Sequence, residues 1–105
     1  MSNCEIYSNK IGENLKVFHG NVIINKNAII GNNVKFHGNN CVGNNGFNDY
    51  APKIGNDVDI GGGLVLIGNI EITDGITIGA NSMVNKSFSE KNIVIAGNPA
   101  RKVKW

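Results

Sequence analysis

Phe18-His19-Gly20-Asn21-Val22-Ile23-Ile24-Asn25-Lys26-Asn27-Ala28-Ile29-Ile30-Gly31-Asn32-Asn33-Val34-Lys35-Phe36 sets a spacing that the chain keeps for most of its length. Phe18, Ile24, Ile30 and Phe36 stand six residues apart, and the series continues through Val42, Asn48, Ile54, Ile60, Leu66, Ile72 and Ile78 to Val84. Eleven of these twelve positions are large and apolar, Asn48 being the exception. A helix repeats about every 3.6 residues and a strand about every 2, so neither sustains this period. Six-residue repeats belong to the parallel β-helix, in which short strands and tight turns wind a hydrophobic column that no single repeat could bury alone.

A second column lies three residues further on: Asn21, Asn27, Asn33, Asn39, Asn45, Ala51, Asp57, Gly63, Asn69, Gly75, Asn81 and Ser87. Ten of these twelve are Asn, Asp or Gly, the residues that best tolerate left-handed backbone, so this column marks the turns. Three hexads make one triangular coil. The spacing therefore predicts four regular coils over 18–89, with residues eighteen apart stacked in the core columns Phe18–Phe36–Ile54–Ile72, Ile24–Val42–Ile60–Ile78 and Ile30–Asn48–Leu66–Val84. Residues 1–17 read as an irregular first coil, slipped one residue out of phase, that caps the column. Residues 90–105 read as a closing strand and tail, the whole forming one domain, 1–105. The expected fold is all-β, a left-handed parallel β-helix, the handedness being taken from the motif.

The 105 residues are 41% hydrophobic and 17% charged, a globular balance, and the net charge of +2 gives no argument for nucleic acid. No run is long and apolar enough to predict a membrane span. Met1 to Glu5 lack a signal-peptide pattern, so a cytoplasmic protein with Cys4 and Cys41 as free thiols is expected. No metal is expected, because two histidines fall short of the usual ligand set.

Those histidines, His19 and His37, are eighteen residues apart, each just after an apolar column position. The coil geometry predicts them on one outward column, one rung apart. A histidine is the usual general base near neutral pH, and a second imidazole could orient it or the substrate. Near them, Asn48-Asp49-Tyr50-Ala51-Pro52-Lys53 breaks both columns, and its proline removes a strand donor, so the segment is expected to bulge as a loop where Asp49 or Tyr50 could contact a substrate.

The hexads, with Ile78-Gly79-Ala80-Asn81-Ser82-Met83-Val84 and the closing Ile95-Ala96-Gly97-Asn98-Pro99-Ala100-Arg101, resemble the hexapeptide-repeat acyltransferases over about 17–103. Phe18-His19-Gly20-Asn21-Val22-Ile23-Ile24-Asn25, Phe36-His37-Gly38 and Pro52-Lys53-Ile54-Gly55 resemble the serine acetyltransferase-like branch, including short forms found with polysaccharide-biosynthesis enzymes. The resemblance implies acetyl transfer from acetyl-coenzyme A inside a homotrimer, with each site between adjacent β-helices. It implies catalytic roles for His19 and His37 and a coenzyme groove lined by Gly62, Ala80, Asn85, Lys86 and Arg101. Phe18 stands where serine acetyltransferases carry an acidic residue that holds the amino acid, and Ala51 stands where they carry another histidine before Pro-Lys-Ile. A saccharide hydroxyl is accordingly the favoured acceptor. The alternatives are serine O-acetylation, sugar N-acylation, a non-catalytic trimeric scaffold and, last, a γ-carbonic-anhydrase-like metalloenzyme.

Overall fold

A computed structural model describes residues 4–104, with the side chains of Cys4 and Lys104 left aside. Among the described residues every regular element is a short strand, and the strands build a left-handed parallel β-helix with three flat walls. The first wall stacks β1 (Cys4–Ile6), β3 (Val22–Ile24), β6 (Asn40–Gly43), β9 (Val65–Ile67) and β12 (Met83–Val84). The second stacks β4 (Ile29–Ile30), β7 (Lys53–Ile54) and β10 (Glu71–Ile72), extended by single bridges at Ile11 and Phe88. The third stacks β2 (Lys16–Val17), β5 (Lys35–Phe36), β8 (Asp59–Ile60), β11 (Thr77–Ile78) and β13 (Val94–Gly97), closed by the antiparallel β14 (Ala100–Lys104).

Inward side chains form three stacks. Ile24, Val42, Leu66 and Val84 line the first wall, Ile30, Ile54 and Ile72 the second, and Phe36, Ile60, Ile78 and Ile95 the third, each 3% exposed or less. Val22, Ala28, Val34, Val58, Leu64, Ile70 and Ile76 fill the corners, as the period predicts.

The stacking differs from the expected eighteen in two places. Between Val42 and Ile54 the chain spends twelve residues on a stretch where one wall-to-wall step needs six. Ile30 therefore stacks on Ile54, Phe36 on Ile60 and Val42 on Leu66, twenty-four residues apart. The extra residues form an exposed loop from Asn45 to Tyr50, and Asn48 sits on it instead of in the core. Successive Asn side chains shape it: Gly46, Phe47 and Tyr50 donate backbone N–H to Asn44, Asn45 and Asn48.

The second departure is at the first coil. Ile11 stacks on Ile30 and Val17 on Phe36, nineteen apart, before the offset returns to eighteen at Val22 and Asn40. Phe18 is thereby carried one residue past the core position and stands 52% exposed, contrary to its expected place in the column. Nor do the two histidines stack on adjacent rungs of one outward column, as expected. Phe18 is the neighbour of His37, and His19 passes over Gly38, where an added Cβ would overlap the His19 carbonyl oxygen.

Two corners use the left-handed turns that the Asn column suggests. Asn33, Asp57, Gly75 and Asn92 occupy one, Gly20, Asn39, Gly63 and Asn81 the other, all with φ between 55° and 79°. At the first of these, Glu13, Asn32 and Asn56 donate backbone N–H to the side-chain oxygens of Asn32, Asn56 and Asp74, a ladder that ties each coil to the next. The third corner carries no such turn at Asn27, Asn45 or Asn69, and the loop leaves the helix there. Among the described residues no helix is long and apolar enough to cross a membrane.

Candidate active site

The corner between the third and first walls carries an open groove of ≈ 670 Å³ lined by His19, His37, Asn39, Asp59, Gly61, Gly62, Thr77 and Ala80, among others. β5 ends at Phe36, and because Phe36 faces inward, His37 faces out. Asp59 opens β8 on the next coil with its side chain turned the same way. His37 Nε2 lies 2.6 Å from Asp59 Oδ1. An ionised carboxylate can only accept, so Nε2 carries the hydrogen and a neutral imidazole keeps its lone pair on Nδ1. That is the arrangement of an oriented general base: one nitrogen fixed by a carboxylate, the other free to take a proton.

The Phe18 ring lies against the same imidazole, with centroids 4.9 Å apart and planes at 33°. Beneath the pair the wall is bare backbone. A Cβ added at Gly61 would meet Ala80 N and Ile78 O at 2.7 Å, so only glycine fits. At Gly62 the nearest atoms would be the Gly38 carbonyl oxygen at 3.7 Å and His37 Cβ at 4.0 Å, so its missing side chain widens the groove without relieving a clash.

A buried amide holds this floor together. Asn40 Oδ1 accepts the Gly38 N–H, and Asn40 Nδ2 donates to the carbonyls of Gly61 and Leu64 at 2.8 and 3.3 Å. Asn40 is 3% exposed, and its bonds fix the backbone on both sides of the His37 rung. One coil higher, Ser82 Oγ donates to the Gly79 carbonyl and accepts the Gly97 N–H, docking the closing hairpin on the same corner.

Of the residues expected from sequence, His19, His37, Gly62 and Ala80 come together in this groove. Asn85 and Lys86 lie at another corner, just after β12, where Lys86 Nζ sits 5.4 Å from the centre of the Phe88 ring. Arg101 is exposed on β14 opposite Ala96. Asp49 and Tyr50 stand on the exposed loop at that same far corner of the first wall, and within one chain they do not line the groove. The expectation of Cys41 as a free thiol agrees with its half-buried place on β6, whereas the Cys4 side chain lies outside the described residues. Sequence reasoning missed Asp59 and Asn40. Among the described residues no group of three or more His, Cys, Asp or Glu side chains could hold a metal ion.

No protein-family model matches the chain. It is 40% identical over 95 residues to "Serine acetyltransferase 3, mitochondrial" of Arabidopsis thaliana, a match covering 88% of this chain and 24% of that protein. It is 34% identical over 93 residues to the "Putative colanic acid biosynthesis acetyltransferase WcaB" of Escherichia coli K12, covering 87% of this chain and 57% of that one. Among solved structures, a truncated serine acetyltransferase apoenzyme superposes with a TM-score of 0.84 at 33% identity, over 90% of this chain and 40% of that one. A serine acetyltransferase of Brucella abortus in complex with coenzyme A gives 0.83 at 31%, over 90% and 39%. The chain thus spans from about a quarter to just over half the length of these relatives.

Proposed function

By sequence and fold the chain is a hexapeptide-repeat protein of the serine acetyltransferase-like branch, and from that premise we propose that it is an acyltransferase moving an acetyl group from acetyl-coenzyme A to a hydroxyl acceptor. The observation that carries this reading is the His37–Asp59 pair, held at 2.6 Å over a glycine floor. His37 Nδ1 takes the proton of the acceptor hydroxyl as its oxygen attacks the thioester carbonyl. The tetrahedral intermediate collapses with cleavage of the C–S bond, and the imidazolium returns the proton to the leaving coenzyme A thiolate. Asp59 stabilises the imidazolium between these steps. His19 bounds the groove on the preceding coil, where it is placed to contact the acceptor or the donor.

The relatives' names support two acceptors. Serine fits most of them and fits the fold neighbours, while the colanic acid relative supports a saccharide. One sequence departure supports the saccharide: Phe18 stands before His19 where the resemblance implies an acidic residue that holds the amino acid. A homotrimer agrees with the outer surface of the first wall. Ile23, Cys41, Val65 and Met83 form an outward apolar stack there, whereas the third wall presents Lys16, Lys35, Asp59 and Thr77 in the corresponding places. Gly62 and Ala80 serve the donor within the groove, and Lys86 and Arg101, with Asn85, suit the coenzyme's phosphates if a neighbouring copy brings them to it.

The test is thiol release from acetyl-coenzyme A by the purified chain with L-serine or methyl glycosides as acceptors. Release that depends on acceptor, and that falls about 10²-fold or more in His37→Ala, is expected. Neither coenzyme binding nor release would reject the reading. Unchanged turnover in both His37→Ala and His19→Ala would leave acyl transfer without its base.

A further inference from the structure

We propose that Phe18 is a positioning residue for His37, holding the imidazole against Asp59 and closing one of its faces so that substrate meets it only from the groove; this rests on the acyl-transfer reading above. Three observations carry it.

The first is the register. Phe18 belongs by period to the core, and the nineteen-residue offset of the Val17–Phe36 rung turns it outward. The ring so displaced does not point away into solvent but lies on His37. The second is the contact. At 4.9 Å and 33° the two rings are in tilted contact, within the centroid range of interacting aromatic pairs. The third is that the turn behind the slip accepts only small residues. Gly38 has φ +129° and no room for a Cβ beneath the His19 carbonyl, while a Cβ on Gly20, at φ +79°, would stand 2.8 Å from Asn39 Oδ1.

The consequence is chemical. An imidazole tethered only through Nε2 can still swing about that bond, and Nδ1 swings with it. A ring laid on one face removes that freedom, so the free nitrogen is aimed before the acceptor arrives. When His37 becomes an imidazolium, its ring lies 4.9 Å from the Phe18 centroid, within cation–π reach, an attraction that exists only after proton transfer begins. Asp59 fixes where the hydrogen is. Phe18 fixes which way the lone pair points.

The experiment combines NMR of the His37 ring protons, assigned with His37→Ala, and steady-state thiol release by the full chain from acetyl-coenzyme A with L-serine and methyl glycosides. In the native chain the His37 ring protons should be shifted upfield by the Phe18 ring current, and the shift should vanish in Phe18→Leu, which keeps the apolar volume. Turnover should fall about ten-fold in both Phe18→Leu and Phe18→Ala, with KM for acetyl-coenzyme A within about two-fold of native. Phe18→Tyr should restore both the shift and the rate. A His37 shift indifferent to Phe18→Leu overturns the proposal, as does full turnover in Phe18→Ala. So does a loss confined to KM, or a rate that Phe18→Tyr fails to restore. A native chain that keeps the stacked-ring shift but releases no thiol with any acceptor fails the acyl-transfer reading itself, and the role assigned to Phe18 falls with it.

Discussion

Phe18 and Phe36 occupy equivalent places in the hexad series, yet one faces solvent at 52% exposure and the other is fully buried. The lower rung of the third wall is offset by nineteen residues, the rungs at Asp59–Thr77 and Ile60–Ile78 by eighteen. That single residue turns Phe18 outward onto the His37 ring, whereas the later rungs of the same wall keep the eighteen-residue step and place Gly61 and Gly79 just after their inward residues. Apolarity at a repeat position therefore has two causes here: on the regular rungs it builds the core, and on the slipped rung it furnishes the site.

The contrast can be broken most forcefully at Phe36. Phe36→Ala should cost about 3–5 kcal/mol in denaturant unfolding, because the cavity opens in the middle of a close-packed stack. Gly38→Ala should follow at about 1–3 kcal/mol, since the positive φ and the His19 carbonyl both exclude a side chain; a change under about 0.5 kcal/mol would mean that the slipped turn is not fixed as described. Asn40→Ala should cost about 1–3 kcal/mol by leaving the Gly38 N–H without its acceptor, and should also lower turnover. Phe18→Ala, in the same series of positions as Phe36, should cost under about 1 kcal/mol, its effect appearing in rate instead of in the melt. Smallest of all, excision of Asn44–Asp49 should move stability by no more than about 1 kcal/mol, because it removes one loop's worth of closure entropy and restores the eighteen-residue step. Cooperative unfolding lost on that excision would show the loop to be part of the winding.

The walls, the inward stacks and the corner residues were legible in the sequence because the period and the requirement for burial coincide there. A loop near Asn48 was legible too, from the broken columns and Pro52, but its length was not, for an arithmetical reason: it lengthens the coil by one hexad, so the phase of every later residue is unchanged and Asn48 still counts as a core position. Asp59 was missed for the same reason. At a spacing of eighteen it belongs beside Cys41, whereas the added hexad brings it opposite Lys35 and next to His37. The acidic residue just before Ile60 was the available signal, and it acquires meaning only once Asn48 is taken out of the column. Asn40 could be marked as a polar residue at an inward corner place, next to the glycine of Phe36-His37-Gly38. The turn column was half right: Asn33, Asn39, Asp57, Gly63, Gly75 and Asn81 take left-handed backbone, Asn21 yields that place to Gly20 on the slipped coil, and the corner that bears the loop has no such turn at Asn27, Asn45 or Asn69.

The reversed strand β14 has an effect beyond closing the third wall. A parallel prism offers a fresh row of backbone donors and acceptors at each open end, and identical units could in principle add there without limit, growing into filaments. On the third wall that row is consumed by a strand running the wrong way for further winding, and its outer edge bears Arg101 and Lys102, with Lys102 bonded to Glu90. The hairpin thus blocks the third wall against addition of a further parallel rung.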